Sequence, residues 1–307
     1  MHLRIALAAL ALTSAAFAQS HPDLQGIWTN ATLTPLERPA QFAGKPTITI
    51  DEARSLAAQD LQRLNADRRD GGAQTDVGRA YNNLFYDRGT QLASINGVIR
   101  TSLIVDPPDG QIPALTPQAQ KRLEQTREYA REHPADRAQD RGLTERCLLW
   151  QTAGPPMMPG PYNNNYQIVQ TPGSVMILSE MIHDARIIPL DGRPHLPSSV
   201  RQWMGDSRGH WEGSTLVVDT TNFSDNTHFR GADRNLHLVE RFTRLDPNTL
   251  LYRFTVDDPG TFTRAWTAEI PMRRTAGPIY EYACHEGNMA LPDILAGARA
   301  QEAAAKK

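Results

Sequence analysis

The chain has 307 residues, 40% of them hydrophobic, and a formal net charge of -2. That balance, without a basic stripe, excludes the electrostatic footprint of a nucleic-acid or anionic-lipid binder. Past the first residues, no run approaches the roughly 20 apolar positions of a membrane-spanning helix, so no membrane span is expected.

The start reads as a leader. Arg4 is its one firm positive charge, Ile5 to Thr13 is a short apolar core, and Ala16-Phe17-Ala18 is a small-x-small cleavage signature. Cleavage after Ala18 would deliver a periplasmic or secreted protein. Four parts are expected: the leader 1–18, an N-terminal strand with a helical and loop segment over 19–145, a β unit over 146–290, and a C-terminal helix or tail over 291–307. The mature chain opens with "HPDLQGIWTN", a short strand. "DEARSLAAQDLQRLN" predicts a helix from Thr49 or Asp51, and "DRRDGGAQTDVGR" a polar loop. Thr101 to Val105 predicts a strand that Pro107-Pro108 stops. "LTPQAQKRLEQTREYAREHP" predicts a second helix, with Thr116 as N-cap, Pro117 first and Pro134 as stop.

After Cys147, "GPPMMPGPYNNN" is a turn-rich link into short β-type runs. They cover 166–170, 175–182, 185–190, 200–205, 215–223, 236–245, 250–256, 262–270 and 279–283. Hairpin-length turns join them, which predicts a mainly β fold: an antiparallel meander closing into a barrel, with the N-terminal helices and long loops packed on it. Period-two sorting puts Leu236, Leu238 and Phe242 on one face, with Tyr252, Phe254 and Val256, and Phe262 and Trp266, on the matching face of the next two runs. It carries Glu240 and Arg264 inward with them. Two inner charges of opposite sign point to a polar cavity, or else to a structural ion pair.

"PYNNNYQIVQTPG", "RIIPLDGRPHLP", "WMGDSRGHWEGSTLVVDTTNF", "NLHLVERFTRLD" and "IYEYACHEGN" together resemble a family of exported bacterial proteins of unassigned function. The resemblance covers most of the mature chain and carries no catalytic residues with it. "LQGIWT" resembles the Gly-x-Trp opening strand of lipocalin-type barrels, which implies a calycin-like barrel. The helical segment after Trp28 departs from a plain lipocalin.

Two cysteines in an exported chain favour pairing, so a Cys147–Cys284 disulfide is expected. Neighbours on a strand point to opposite faces, so His285 would not serve Cys284 as a base. A thiol catalyst or thiolate metal ligand is the alternative. No HExxH, HxH or paired-cysteine spacing is present, so neither a metal site nor a cofactor is expected. A histidine site assembled from several strands is the alternative. No Gly-x-Ser-x-Gly elbow or phosphate-binding glycine loop occurs either.

Acid-base chemistry is the leading expectation, with a small molecule as partner. Three polar turns, "MIHDARIIPLDGRPH", "GDSRGHWEG" and "DTTNFSDNTHFRG", could meet at the mouth of a barrel. The candidate base is His183 or His228, oriented by Asp184 or Asp219, with Glu240 as an inner-face acid. Arg186, Arg230, Arg264 and His195 are candidate substrate-binding groups, and Trp203 and Trp211 candidate stacking walls for a ring. The expected activity is that of a cofactor-free lyase, isomerase or hydrolase on a small polar or ring-containing substrate. The alternatives are a non-catalytic ligand-binding barrel and a His/carboxylate metal enzyme.

Overall fold

The computed structural model describes residues 21–78, 82–150, 152–227 and 229–306. The expected leader over residues 1–18 and the candidate base His228 lie outside the described residues. In chain order the N-terminal part supplies β1 (Gly26–Thr29), β2 (Thr47–Ile48), α1 (Ile50–Arg63), α2 (Gly72–Gly78), β3 (Ser94–Ile95), β4 (Val98–Arg100), β5 (Ile104–Asp106) and α3 (Pro117–Glu132). α1 begins on a capping box: the Thr49 hydroxyl accepts from the Glu52 N–H and the Glu52 carboxylate accepts from the Thr49 N–H. α3 starts as its sequence predicts, with Pro117 first and the Thr116 hydroxyl accepting from the Ala119 N–H. Each of these two helices buries a single residue, Ala53 or Ala119, so both lie on the core rather than in it. α2 falls in a stretch expected to be a loop. β2, β4 and β3 form a small sheet of their own.

The C-terminal part supplies β6 (Asn165–Gln170), β7 (Ser174–Ser179), β8 (Ala185–Pro189), β9 (Asp206–Glu212), β10 (Thr215–Thr221), β11 (His237–Asp246), β12 (Thr249–Asp257), β13 (Trp266–Thr275) and α4 (Ala290–Ala305). The fold is mainly β. Its main sheet has ten antiparallel strands in the order β8-β7-β6-β1-β13-β12-β11-β10-β9, with β5 added on β13. Two meanders, β6 to β8 and β9 to β13, are joined by β1, which pairs Trp28 with Tyr166 on one side and with Arg274 on the other. The period-two sorting holds along the inner face. Leu238, Glu240, Phe242, Tyr252, Phe254, Val256, Trp266 and Ala268 are all fully buried. Tyr166, Ile168, Val175, Ile177 and Ile188 of the other meander pack into the same core, and each large apolar side chain contributes roughly 1.5–3 kcal/mol on burial.

The sheet is strongly rolled. β8 and β11 stand six strand steps apart in the sheet order, which in a flat sheet would separate them by about 29 Å. Yet Arg186 on β8 bonds Glu240 on β11. The rolling brings the two edge strands, β8 and β9, face to face without a ladder between them among the described residues. Gly209 marks the contact: a Cβ there would stand 2.8 Å from Ile188 Cγ2 and 2.6 Å from Leu190 Cδ2.

Several sequence expectations need correction. Arg264 is not on the inner face. It precedes β13, is half exposed, and pairs with Asp106 at 2.7 Å. The run 200–205 is not a strand; the strand is β9, whose inner positions are Ser207, Gly209 and Trp211, so no regular apolar alternation announces it. β7 stops at Ser179, and a short 3-10 turn follows over Met181–His183. Residues 279–283 form no strand. Glu180 anchors that segment instead, accepting from the Tyr280 N–H (3.0 Å) and from Asn165 Nδ2 (2.7 Å).

Candidate functional site

The unpaired seam between β8 and β9 opens into a cleft of about 470 Å³. One wall is the start of β8, with Asp184 and Arg186. The other is the segment that leads into β9, with Arg201, Trp203 and Asp206. Leu149 closes it from the N-terminal side. The volume lies within the range of small-molecule sites, ~300–1,000 Å³.

Asp184 sits here because of the turn before it. Ile182 and His183 both take left-handed backbone, φ 59° and 47°. For a β-branched residue that conformation is an outlier that the surroundings must enforce. The enforcement is visible. Ile182 and Met181 are buried among Trp150, Tyr162, Tyr282 and Cys284, and the Cys147–Cys284 disulfide, Cα–Cα 5.8 Å, ties that cluster to the wall of the cleft. The His183 ring is tethered by Nδ1 donating to the Tyr282 carbonyl at 3.1 Å, which leaves the lone pair on Nε2. Burial pushes the Asp184 carboxyl above its ordinary pKa, and nearby His183 opposes the shift only in part. Its Oδ2 is buried with no hydrogen-bond partner among the described residues.

Arg201 faces the same space. Its Nη1 donates to the Phe223 carbonyl at 3.0 Å and the Arg234 carbonyl at 2.8 Å. Its Nε is buried, stands 4.0 Å from Asp225, and has no hydrogen-bond partner among the described residues. Trp203 is held from behind by the Thr227 hydroxyl, which donates to its carbonyl at 2.9 Å.

Beneath the cleft lies a closed ionic group. Arg186 grips Glu240 through both oxygens, at 2.5 and 3.0 Å. The Tyr252 hydroxyl donates to Glu240 Oε1 at 2.8 Å and accepts from the Met157 N–H at 3.0 Å. Burial alone would lower the pKa of Arg186; the Glu240 carboxylate outweighs it and holds the guanidinium above its ordinary value. Burial, and then Glu240, raise that of Tyr252. Both Glu240 oxygens and the Tyr252 hydroxyl are engaged, so the geometry gives Glu240 the part of a structural anion.

On the other side of Asp206 runs a chain of ionisable groups. Asp206 Oδ2 accepts from His195 Nδ1 (2.9 Å), Asp219 Oδ1 from His195 Nε2 (2.8 Å), and Asp219 Oδ2 from His237 Nε2 (2.7 Å). Arg208 pairs with Asp206 at 3.1 Å, and the Leu196 N–H also donates to it. Hydrogen bonding to Asp219 raises the pKa of His237. Burial would raise Asp219, but its bonds to His237 and His195 prevail and its pKa is lowered.

The fold thus gathers Asp184, Arg186 and Trp203 at one cleft, with His183 next to Asp184, and sets His195 and Asp219 in the adjoining chain. Trp211 stands apart: it packs on the main core and stacks on His21 at 4.6 Å. Arg230 is exposed, in left-handed backbone at φ 54°, and Arg264 is remote, beside β5. Sequence reasoning missed Arg201 and Tyr252. No motif marks Arg201. Tyr252 was visible only as an inward aromatic. Among the described residues no group of three or more His, Cys, Asp or Glu side chains is placed to hold a metal ion. No protein-family model, curated protein or solved structure matches the chain.

Proposed function

We propose that the protein is an exported enzyme that works by proton transfer on a small polar or ring-containing substrate, bound at the β8–β9 seam. On this reading the rolled sheet is an incompletely closed, calycin-like barrel whose interior is packed solid, and the ligand site sits where closure fails. The disulfide and the leader-like N-terminal sequence favour export. The observation that carries the reading is Asp184: a carboxyl with an unpartnered oxygen and a pKa raised by burial, beside enforced left-handed backbone, in a cleft. In the lyase, isomerase or hydrolase class, Asp184 gives or takes the proton. Arg201 Nε holds the oxygen on which negative charge develops, Trp203 packs against the substrate ring, and His183, exposed and next to Asp184 but outside the cleft lining, passes the proton between Asp184 and solvent.

The test is a mass-resolved turnover screen of small hydroxy, sugar and aromatic acids. Loss of general acid-base catalysis costs ~100-fold or more, so Asp184→Asn should lose about that factor on the substrate found, with an unchanged melting temperature. Full activity in both Asp184→Asn and His183→Ala would end the proposal. One observation favours a second reading, a non-catalytic binding protein: among the described residues no histidine lines the seam cleft itself. A compound that raises the melting temperature and is recovered unchanged would support that reading.

A further inference from the structure

The seam cleft is not isolated. A second, larger cleft of about 830 Å³ lies between α3 and the segment from Arg137 to Pro155, and it shares Leu149 and Trp203 with the first. Trp203 therefore stands at the junction of the two. The second cleft has aromatic walls of its own in Trp150 and Tyr129. It also carries Arg146, half-buried, with no hydrogen-bond or ion partner for its guanidinium among the described residues. Arg137 and Arg141 line it too, but both are spoken for, by Asp140 at 3.2 Å and Glu145 at 2.7 Å.

We infer that the ligand is a chain rather than a single ring: an anionic oligosaccharide, its sugar rings bearing carboxylates, lying from the seam cleft across Trp203 into the second cleft. The inference rests on the seam cleft being the functional site and names the substrate class for it. Three features select this chemistry. The two clefts, about 470 and 830 Å³, together hold more than one ring. Indole and phenol faces spaced along the path suit the apolar faces of successive pyranose rings, while hydroxyls between them find both donors and acceptors in the mixed arginine and aspartate lining. Among the described residues Arg146 and Arg201 Nε are cationic donors without a hydrogen-bond partner, one in each cleft, and a guanidinium is the natural partner of a carboxylate. A polyphosphate backbone fits less well, because it presents no apolar ring face to Trp203, Trp150 and Tyr129, and its unbroken run of charges would meet Asp184, Asp206 and Asp140, whereas ring hydroxyls can donate to those aspartates. Trp203 and Arg201 would hold the ring nearest Asp184; Arg146 and Trp150 would hold rings further along.

The experiment is calorimetric titration of the disulfide-intact protein with galacturonic acid and its linear oligomers from dimer to hexamer, with neutral cello-oligomers of equal length as comparison. Affinity should rise by about tenfold or more from monomer to tetramer, as a second linked contact predicts, and the neutral series should bind more weakly. Arg146→Gln and Tyr129→Ala, both in the second cleft only, should each erase most of that gain and leave monomer affinity unchanged. Monomer binding with no gain in length would overturn the inference while leaving the seam site intact. Preference for the neutral series, for an acidic peptide or for single-stranded DNA would also overturn it, as would failure of every oligomer to bind. Length-dependent binding in a protein whose Asp184→Asn variant turns the oligomer over at the full rate would sustain the inference and defeat the catalytic reading.

Discussion

Glu240 shows how a single buried charge is decided by what it meets. Its inward direction follows from the period of two along β11, but its partner does not. Arg264 appeared to be the inner cation because a strand from Phe262 would have aimed it there, and β13 in fact begins at Trp266. The true partner, Arg186, is far along the sheet order, and only the rolling of the sheet brings it within reach. Removing one member of a buried pair leaves an uncompensated charge and costs about 3–5 kcal/mol, whereas replacing both with apolar groups of similar volume is often neutral. Glu240→Leu alone should therefore cost about 3–5 kcal/mol in urea unfolding, and Arg186→Met with Glu240→Leu should recover most of it. Equal losses in the single and double variants would show that the pair is not the determinant. The half-exposed His237–Asp219 contact makes a different prediction, in pH. The folded pKa of His237 is raised, so its contribution is complete below the unfolded value of about 6.5 and fades as pH rises through the folded one. The pKa of Asp219 is lowered, so its contribution is complete above about 3.9 and fades only as pH falls through the depressed value. Between pH 6 and 8.5 the melting temperature should fall in the parent, and fall less in His237→Gln. Parallel slopes would contradict this.

Among the elements, those with strong local chemistry were legible and those defined by their neighbours were not. α3 carries its own start in Thr116 and Pro117, and the inward aromatics of β11 and β12 carry their own face. β9 carries little: its inner face offers Ser207, Gly209 and Trp211, and at Gly209 the side chains of Ile188 and Leu190 leave no room for more. The candidate site suffers the same blindness, since its two walls come from edge strands that touch without pairing. Asp184, Arg186 and Trp203 were legible as polar or aromatic turn residues; that they share a cleft depends on the seam. Gly209 is the sharpest probe of that seam. Overpacking a close contact costs typically ~1–3 kcal/mol, so Gly209→Val should destabilise by about that amount and weaken any ligand bound at the seam. Ile270 on β13, four strand steps from either edge strand, lies away from the seam and is fully buried in the main core. Trimming it to Ala should lower stability without a matching loss of binding. Loss of affinity in both variants would mean that Gly209 acts through global stability alone.

At the scale of the whole molecule the dependence on β1 stands out. The sequence reads naturally as an N-terminal segment followed by a β unit, yet the N-terminal segment inserts β1 between the two meanders and lays β5 against β13. That insertion is invisible to periodicity, because four residues of "GIWT" look the same whether they border a sheet or sit in its middle. Trp28 is the link in that insertion. It is fully buried, its indole N–H donates to the Leu24 carbonyl at 2.9 Å, and its neighbours in the ladder belong to different meanders. A Trp→Ala change in a packed core costs about 3–5 kcal/mol. If β1 merely decorated the sheet, Trp28→Ala would loosen only the strands it touches. If it joins the meanders into one cooperative unit, amide protection should fall by similar factors in β7, which it does not touch, and in β11, three strand steps away on the other side. Hydrogen exchange of the variant distinguishes the two. Protection kept in β7 and β11 while β6 and β13 open would mean that the meanders are separately stable, and that the seam site could persist without the strand that now holds them together.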